Sequence, residues 1–168
     1  MAGPILRHVL AIDHVIIAVH DLDAAAARFD DRYGLASVAG GRHAGHGTGN
    51  RLVPLGDEYI ELMAVVDRDE AASSPLGTWL ERRVLEVGEA PAAICLRTDD
   101  IEATARRTGR PPLAMSRTRP DGVELDWRLV GLDAALTDGL PFFIQWHVDE
   151  ADHPGRTPIE HRRAARGI

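Results

Sequence analysis

The feature that most restricts the fold of this chain is a short pattern that occurs twice. Residues 21–24 are Asp-Leu-Asp-Ala and residues 100–103 are Asp-Ile-Glu-Ala, 79 positions later. In both places a short apolar run precedes the pattern, and residues at helical spacing follow it. A duplicated sequence dictates a duplicated architecture, because each copy buries its apolar faces against its neighbour. The chain is therefore expected to fold as two similar halves.

Each half opens with a strand and a helix. The runs 12–19 and 92–97 are short and mostly apolar, which predicts strands. Asp21 and Asp100 follow these runs and are predicted helix N-caps, because an aspartate side chain accepts hydrogen bonds from the unpaired N–H groups of a first helical turn. Both halves thus begin with the order β-α.

The rest of each half is predicted to form strands. In the first half, a glycine-rich stretch at 40–49 leads into the runs 51–55 and 59–66. In the second half, the runs 123–130 and 141–148 have the length and composition of strands. The order β-α-β-β-β, occurring twice, is the simplest interpretation.

The stretch between the halves predicts a linking helix. Ser74-Pro75 is a typical helix start, because proline at the first helical position loses no hydrogen bond. The predicted organisation is a first βαβββ module at residues 1–66, a linker helix at 67–90, a second βαβββ module at 91–150 and a polar tail at 151–168.

Composition excludes several classes of function. The net charge is -7 and no basic run is present, so a nucleic acid bound through its phosphates is not an expected partner. The chain contains no lysine, which excludes Schiff-base chemistry, and its single cysteine, Cys95, excludes an internal disulfide and a cysteine cage for zinc. Residues 1–15 lack the pattern of a signal peptide, and no apolar run approaches the roughly 20 residues of a membrane span. A cytoplasmic protein is expected.

Strand alternation places several polar side chains on faces that are otherwise apolar. His14, Glu61 and Gln145 each lie within an apolar predicted strand. A buried carboxylate or imidazole is unfavourable unless it is paired or binds a metal, so these three residues are candidates for a site. A hydrogen-bonded core position or an exposed sheet edge is the alternative for each. The candidates for substrate contact on the same faces are Tyr59, Phe143 and His147.

The glycine-rich stretch carries a second group of candidates. It is not a Walker-type phosphate loop, because that motif requires a lysine. Its glycines would let the backbone approach a ligand or turn sharply. His43, Thr48 and Asn50 are therefore candidate substrate-binding residues, with ordinary turn positions as the alternative.

In combination, these segments resemble the glyoxalase-like branch of the vicinal oxygen chelate superfamily. The segments that carry the resemblance are residues 12–19 with Asp21-Leu22-Asp23, residues 40–43, 47–52 and 59–62, and residues 141–146 with His153-Pro154. The resemblance covers most of the chain. It implies an α+β fold in which two βαβββ modules form a U-shaped mixed sheet, the glyoxalase/bleomycin-resistance/dioxygenase fold.

The resemblance also implies a divalent metal in the concave face of the sheet, with ligands from the first and last strands of each module. Carried over by position, these ligands are His14 and Glu61 in the first module, and Ala93 and Gln145 in the second. Because alanine has no donor atom, the implied metal ligands are His14, Glu61 and Gln145. Such a set suits Zn, Mn, Ni or Fe, and no other cofactor is expected.

Two further histidines could complete this ligand set. His147 shares a face with Gln145 by alternation, and His43 could reach the site from the loop. With either one, His14 and Glu61 would become part of a set of two histidines and one carboxylate, which is typical of non-heme iron sites.

Two functions are compatible with these features. The leading hypothesis is a metal-dependent enzyme of the lyase, isomerase or dioxygenase type acting on a small oxygenated substrate, with Glu61 as a metal ligand or catalytic base. The alternative is a metal-free protein that binds a small molecule or drug and confers resistance. Ala93 favours this alternative, and Tyr59 and Phe143 would line its apolar cleft. The expected partner is a small molecule, not a nucleic acid or a membrane, and a homodimer is left open.

Overall fold

The computed structural model of the chain describes residues 10–119, 121–165 and 167–168. The first module consists of β1 (Leu10–Ala18), α1 (Leu22–Tyr33), β2 (Val38–His43), β3 (Thr48–Pro54) and β4 (Tyr59–Val65). Two helices follow, α2 (Arg68–Ala72) and α3 (Pro75–Val87). The second module consists of β5 (Ala90–Thr98), α4 (Ile101–Thr108), β6 (Leu113–Thr118), β7 (Glu124–Val130), α5 (Leu132–Asp138) and β8 (Phe142–Trp146).

The eight strands form one curved, mixed sheet. Their order is β2-β3-β4-β1-β5-β8-β7-β6. The central strands β1 and β5 pair antiparallel, whereas each runs parallel to the last strand of its own module, β4 or β8. The predicted α+β fold of two βαβββ modules is therefore confirmed.

The pairing of β1 with β5 reproduces the spacing of the sequence repeat. Val15 lies opposite Ile94, and these residues are 79 positions apart, so a local two-fold axis passes between them. The same axis relates His14 to Ala93. The expected equivalence of these two positions is therefore present in the sheet.

The same symmetry identifies the counterpart of Glu61. Ile16 and Cys95 are also 79 positions apart; Ile16 pairs with Glu61 on β4, and Cys95 pairs with Phe142 on β8. Phe142 therefore occupies the position equivalent to Glu61. The carry-over of a ligand to Gln145 was wrong, because it placed the equivalent position three residues too far along the strand.

The predicted N-caps start both module helices. The Asp21 carboxylate accepts the N–H of Ala24 at 2.7 Å, and the Asp100 carboxylate accepts the N–H of Ala103 at 2.8 Å. The helices α2 and α5 were not predicted, and the strands β2 and β6 were implied by the βαβββ order without being assigned to residues. Helix α5 begins after Gly131 with no side-chain cap, so it lacks the sequence signal that marks the other starts.

The two faces of the sheet are covered differently. On the outer face, α1 packs against the first module through a cluster that includes Ala25, Val53 and Leu62. On the inner face, α3 inserts Trp79 and Leu80 into a larger cluster shared with both modules. Helix α3 thus fills part of the interior of the curved sheet, and its Leu76 lines the cavity that remains.

The two edge strands of the sheet also approach each other. The guanidinium of Arg117 on β6 donates a hydrogen bond to the carbonyl oxygen of Gly40 on β2. This contact brings the edges of the two modules together, so the sheet is nearly a closed barrel.

No helix in the described part of the chain is long and apolar enough to cross a membrane. The prediction that no signal peptide is present depended largely on residues 1–9, which lie outside the described residues.

Candidate functional site

The curved sheet encloses a cavity of about 60 Å³, which is room for a few water molecules or the reacting part of a small substrate. The polar side chains that line it are His14, His43, Asn50, Tyr59, Glu61 and Arg117. The second module contributes mainly aromatic and aliphatic side chains, among them Trp127, Leu129, Phe142, Ile144 and Trp146. The cavity therefore has a polar wall, built mostly by the first module, and an apolar wall built by the second.

Glu61 lies at the centre of the polar wall and is 5% exposed. Its Oε1 atom accepts a hydrogen bond of 2.6 Å from Nδ2 of Asn50. Nε2 of His14 lies 3.5 Å from Oε2, and Nε2 of His43 lies 3.7 Å from Oε1. The carboxylate is thus flanked by one imidazole on each oxygen.

The orientation of His14 is fixed by the residue that precedes it. Its Nδ1 atom donates to Oδ1 of Asp13 at 2.7 Å. In the neutral ring this bond places the proton on Nδ1 and leaves the Nε2 lone pair facing Glu61 and the cavity. Two acceptors then face each other in a buried place, and such a pair is favourable only with a cation or a proton between them. Metal-bound histidines have this arrangement, with a carboxylate holding the far nitrogen.

Asp13 connects four parts of the fold and is fully buried. Besides His14, its carboxylate accepts hydrogen bonds from Nε of Arg97 at 3.0 Å, Nε1 of Trp146 at 3.0 Å and Nε2 of His153 at 3.1 Å. Burial by itself would raise the pKa of Asp13, but the hydrogen bonds and charges of His14 and His153 outweigh it and hold the pKa well below its ordinary value. Asp13 is therefore ionised at neutral pH.

His43 is held by a hydroxyl group. Its Nδ1 atom lies 2.9 Å from Oγ1 of Thr48, which is fully buried. Burial lowers the pKa of His43, although the nearby Glu61 charge opposes this, so the ring is neutral at neutral pH. Its other nitrogen, Nε2, lies 3.4 Å from Nδ2 of Asn50 at the polar wall of the cavity.

Asn50 packs against Gly40, at a position where a larger residue does not fit. A Cβ atom on Gly40 would overlap Oδ1 of Asn50. The amide orientation is fixed by Glu61, because the reverse orientation would bring two oxygens together at 2.6 Å. Among the described residues, Oδ1 of Asn50 has no hydrogen-bond partner. Asn50 therefore serves first to hold the Glu61 carboxylate in place.

A sequence model described as "Glyoxalase-like domain" matches residues 12–168. The chain belongs to the glyoxalase-like domain family. The resemblance to glyoxalase-like domains seen in the sequence is therefore confirmed, and several solved structures of methylmalonyl-CoA epimerase share the fold. No curated protein matches the chain.

Three solved structures give the scale of the similarity. A hypothetical protein from Staphylococcus aureus is 26% identical with a TM-score of 0.65, over 85% of this chain and 61% of that protein. Methylmalonyl-CoA epimerase from Mycobacterium tuberculosis is 23% identical with a TM-score of 0.55, over 79% and 85% of the two chains. A variant of the Streptomyces coelicolor epimerase in complex with 2-nitronate-propionyl-CoA is 22% identical with a TM-score of 0.58, over 82% and 97%. The chain thus spans less than two thirds of the Staphylococcus protein, and the epimerases support the fold alone.

In this glyoxalase-like chain three predicted site residues lie away from the cavity. The Gln145 amide caps helix α4 on the outer face: its Oε1 accepts the N–H of Ile101 at 3.1 Å, and its Nε2 donates to the carbonyl oxygen of Asp99 at 3.0 Å. Phe143 shares the side of β8 that carries Gln145, and His147 is exposed beyond the end of that strand. The placement of all three residues in a common pocket was wrong, because the opposite side of β8 faces the cavity.

The other predicted residues are in or directly behind the cavity wall. His14, His43, Asn50, Tyr59 and Glu61 line it. Tyr59 stacks on the His14 ring, with centroids 4.5 Å apart, and burial raises its pKa well above the ordinary value. Thr48 does not line the cavity but contacts His43 from behind, so the structure gives it a positioning role.

Two residues of this family member were missed from the sequence. Regular strand alternation would place Asp13 on the face opposite His14, but the pairing of β1 with β5 is irregular between Ile12 and His14. An aspartate inside an apolar strand was nevertheless a signal of a buried charge. Arg117 carried no such signal, because its strand was not predicted and its approach to the first module depends on the curvature of the sheet.

The spacing of the donor atoms is close to that of the ligands of a divalent metal. Ligands bonded to one ion at about 2.1 Å lie about 3.0–3.4 Å apart. The separations of His14 and His43 from Glu61 are close to these values. As a set, the donor atoms of His14, His43 and Glu61 are more widely spaced, because each imidazole approaches a different oxygen of Glu61. The side chains would have to rotate for all three to bind one ion. The donor types and the fixed Nε2 of His14 fit a metal.

Another trio lies behind the cavity wall. Across the described part of the chain, Asp13, His14 and Cys95 have donor atoms within 4.8 Å of one another. A thiol binds metal as the thiolate, but burial raises the pKa of Cys95 well above its ordinary value. The Asp13 oxygens already accept four hydrogen bonds. This trio therefore fits a metal less well than the cavity-facing donors do.

Proposed function

We propose that this chain is a metal-dependent enzyme acting on a small oxygenated substrate, with His14 and Glu61 as the two principal metal ligands and His43 as the third. The observation that supports this most directly is the approach of His14 Nε2 to Glu61 Oε2 at 3.5 Å while Asp13 holds the far nitrogen. Burial makes that approach unfavourable unless a positive charge lies between the two atoms.

A divalent ion in this place would supply Lewis-acid polarisation of adjacent substrate oxygens. The residues of the chain perform the other tasks. Asp13 holds the His14 ring with its cavity-facing nitrogen deprotonated, Thr48 orients the His43 ring through a hydrogen bond at Nδ1, and Asn50 fixes one oxygen of Glu61. The apolar wall excludes water, which strengthens every electrostatic interaction in the cavity.

The one-sided cavity bears on the type of reaction. Two-base epimerisation needs acid–base groups on both sides of the reacting carbon, but among the described cavity residues Glu61 is the one carboxylate. Its counterpart in the second module is Phe142. Two histidines and one carboxylate form the donor set of non-heme Fe(II) oxygenases. We therefore place dioxygenase chemistry ahead of lyase and isomerase chemistry among the reactions to test.

A second function has its own support. Ala93 and Phe142 occupy the positions equivalent to His14 and Glu61, and Phe142 lies in the apolar wall of the cavity. A metal-free protein that binds a small apolar molecule would have such a wall.

One experiment separates the two functions. Metal content of the purified chain is measured, and thermal melts are recorded with and without Fe(II), Mn, Ni or Zn. A metal-dependent enzyme is stabilised by at least one of these ions, and His14→Ala removes the effect. His147→Ala is the matched control, because His147 is exposed and outside the cavity. A wild-type chain that contains no metal and gains no stability from any of the four ions would favour the binding protein.

A further inference from the structure

The guanidinium of Arg117 is a buried cation that lines the same cavity. It extends from β6, and the residue is 9% exposed. One of its N–H groups donates to the carbonyl oxygen of Gly40. The ionisable groups around it include Glu61, Tyr59, His43 and Arg119, and no ion pair joins Arg117 to a carboxylate in the described part of the chain.

The hydrogen-bonding capacity of Arg117 is largely unused. A guanidinium has five N–H donors, and the described residues satisfy one position through Gly40. Arg119, two residues along, is different, because its guanidinium pairs with both Asp121 and Asp152. Burial lowers the pKa of Arg117, although Tyr59 and Glu61 oppose this. No nitrogen of Arg117 is among the sealed, unpaired polar atoms of the described residues, so its remaining N–H groups are accessible and can meet an anion that enters the cavity.

The contact with Gly40 does not by itself require arginine. A single carbonyl oxygen can be met by any amide or ammonium group. The planar fork of a guanidinium can donate two parallel hydrogen bonds to the two oxygens of a carboxylate, and arginine is favoured in proteins where a carboxylate is bound in this way. The fork of Arg117 lies in the polar part of the cavity, near Glu61 and Tyr59, and the aromatic and aliphatic wall of the second module completes the enclosure.

We propose that Arg117 binds the carboxylate of the substrate, so that the substrate class is a small carboxylic acid with an apolar body. The inference rests on the proposed function for the statement that the reacting oxygens face His14 and Glu61. The apolar body packs against Trp127, Leu129 and Ile144. Recognition of the carboxylate itself does not depend on a metal, because Arg117 carries its own charge.

The test uses two probes of nearly the same shape, isobutyrate and its uncharged amide, isobutyramide. Binding to the full-length chain is measured by saturation-transfer NMR, on the protein as purified and after treatment with a chelator. We expect isobutyrate to bind roughly tenfold or more tightly than isobutyramide in both preparations, as a charge-assisted pair predicts. Arg117→Met should abolish the preference, and Arg117→Lys should retain part of it.

Arg119→Met is the matched control, because it removes the same charge two residues away, from a side chain that does not line the cavity. It should keep the preference for isobutyrate. Glu61→Gln should increase the affinity for isobutyrate, since it removes a negative charge near the fork. If Arg117→Met does not fold, as judged by circular dichroism, the wild-type preference and Arg117→Lys decide the matter.

The outcomes distinguish this inference from the proposed function. Equal binding of isobutyrate and isobutyramide by the wild type, or an unchanged preference in folded Arg117→Met, overturns carboxylate recognition even if the protein binds metal. A preference that depends on Arg117 in a protein that binds no metal supports carboxylate recognition and overturns the enzyme.

Discussion

Glu61 and Phe142 occupy equivalent positions in the two modules. Glu61 pairs with Ile16 on β1 and Phe142 pairs with Cys95 on β5, and the local two-fold axis relates Ile16 to Cys95. One position therefore holds a carboxylate among two imidazoles and an amide, and the other holds a ring in an apolar wall. In the proposed metal site, the donors His14, His43 and Glu61 therefore all come from the first module.

Glu61→Gln should remove metal-induced stabilisation while leaving the fold intact. An ion at about 100 times its dissociation constant adds about 2.7 kcal/mol to the free energy of unfolding, or roughly 5–10 °C in a chain of this size. The metal-free mutant should melt at or slightly above the wild-type temperature, because the amide does not carry a buried charge. Thermal melts with each metal measure both effects, and the exposed Glu81→Gln is the control. A mutant that keeps the full metal shift would make Glu61 structural.

Asp13→Asn should lower the free energy of unfolding by about 3 kcal/mol at neutral pH, because the amide cannot accept all four hydrogen bonds and leaves Arg97 without its counter-charge. Urea melts measure the loss, and Asp138→Asn, on the surface, is the control.

The effect of Asp13→Asn should depend on pH. The folded-state pKa of Asp13 lies below 3.8, so its stabilisation is complete above that pH and is lost as the pH falls towards the folded-state pKa. The difference between wild type and mutant should therefore shrink below about pH 3.8. A difference that stays constant down to pH 2.5 would mean that the carboxylate charge is not the source of the stability.

Gln145→Ala should weaken the fold without affecting the metal. Its amide makes two hydrogen bonds at the start of α4, and their loss should lower the free energy of unfolding by about 1–2 kcal/mol. The thermal shift with metal should equal that of the wild type. If Gln145→Ala instead abolished the metal-induced rise in melting temperature and left the free energy of unfolding unchanged, Gln145 would again be a candidate metal ligand.

Gly40→Ala should displace Asn50 and lower the free energy of unfolding by about 1–3 kcal/mol, since the added Cβ overlaps the amide oxygen. The same substitution in an Asn50→Ala background should have a much smaller effect. The double-mutant cycle, measured by urea melts, gives the coupling energy between the two positions. If the effects of Gly40→Ala and Asn50→Ala on the free energy of unfolding were additive, the added Cβ would be accommodated by a movement that does not involve Asn50.

Cys95→Ala should keep the full metal-induced shift, because the metal is assigned to the cavity and not to the trio behind it. The wild-type thiol should react with Ellman's reagent only on unfolding, since burial raises its pKa and blocks access. If Cys95→Ala abolished the metal-induced rise in melting temperature, the metal site would be assigned to Asp13, His14 and Cys95 instead.

The sequence predicted the order of strands and helices well because the repeat fixes the architecture and the aspartate caps mark both module helices. The faces of β1 and β4 were also assigned correctly for His14 and Glu61. On β8 the carry-over by position chose Gln145, whereas the two-fold relation of the strands selects Phe142. Such a relation depends on strand register, which a single sequence does not display.

Arg117 could not be predicted for a different reason. Its role depends on the approach of the two edge strands, a property of sheet curvature and not of local pattern. Asp13 lies between these cases, since the charge was visible but its four partners come from distant parts of the chain.

The register of Val15 against Ile94 is the one that a symmetric dimer of a single module would adopt, with each β1 strand paired to its twin across the axis. In such a dimer every substitution appears twice, and a glutamate on one wall forces a glutamate on the other. Joining the two modules in one chain removes that constraint. The second wall is then free to change its side chains one by one, and selection for a new substrate can act on it without disturbing the ligands opposite.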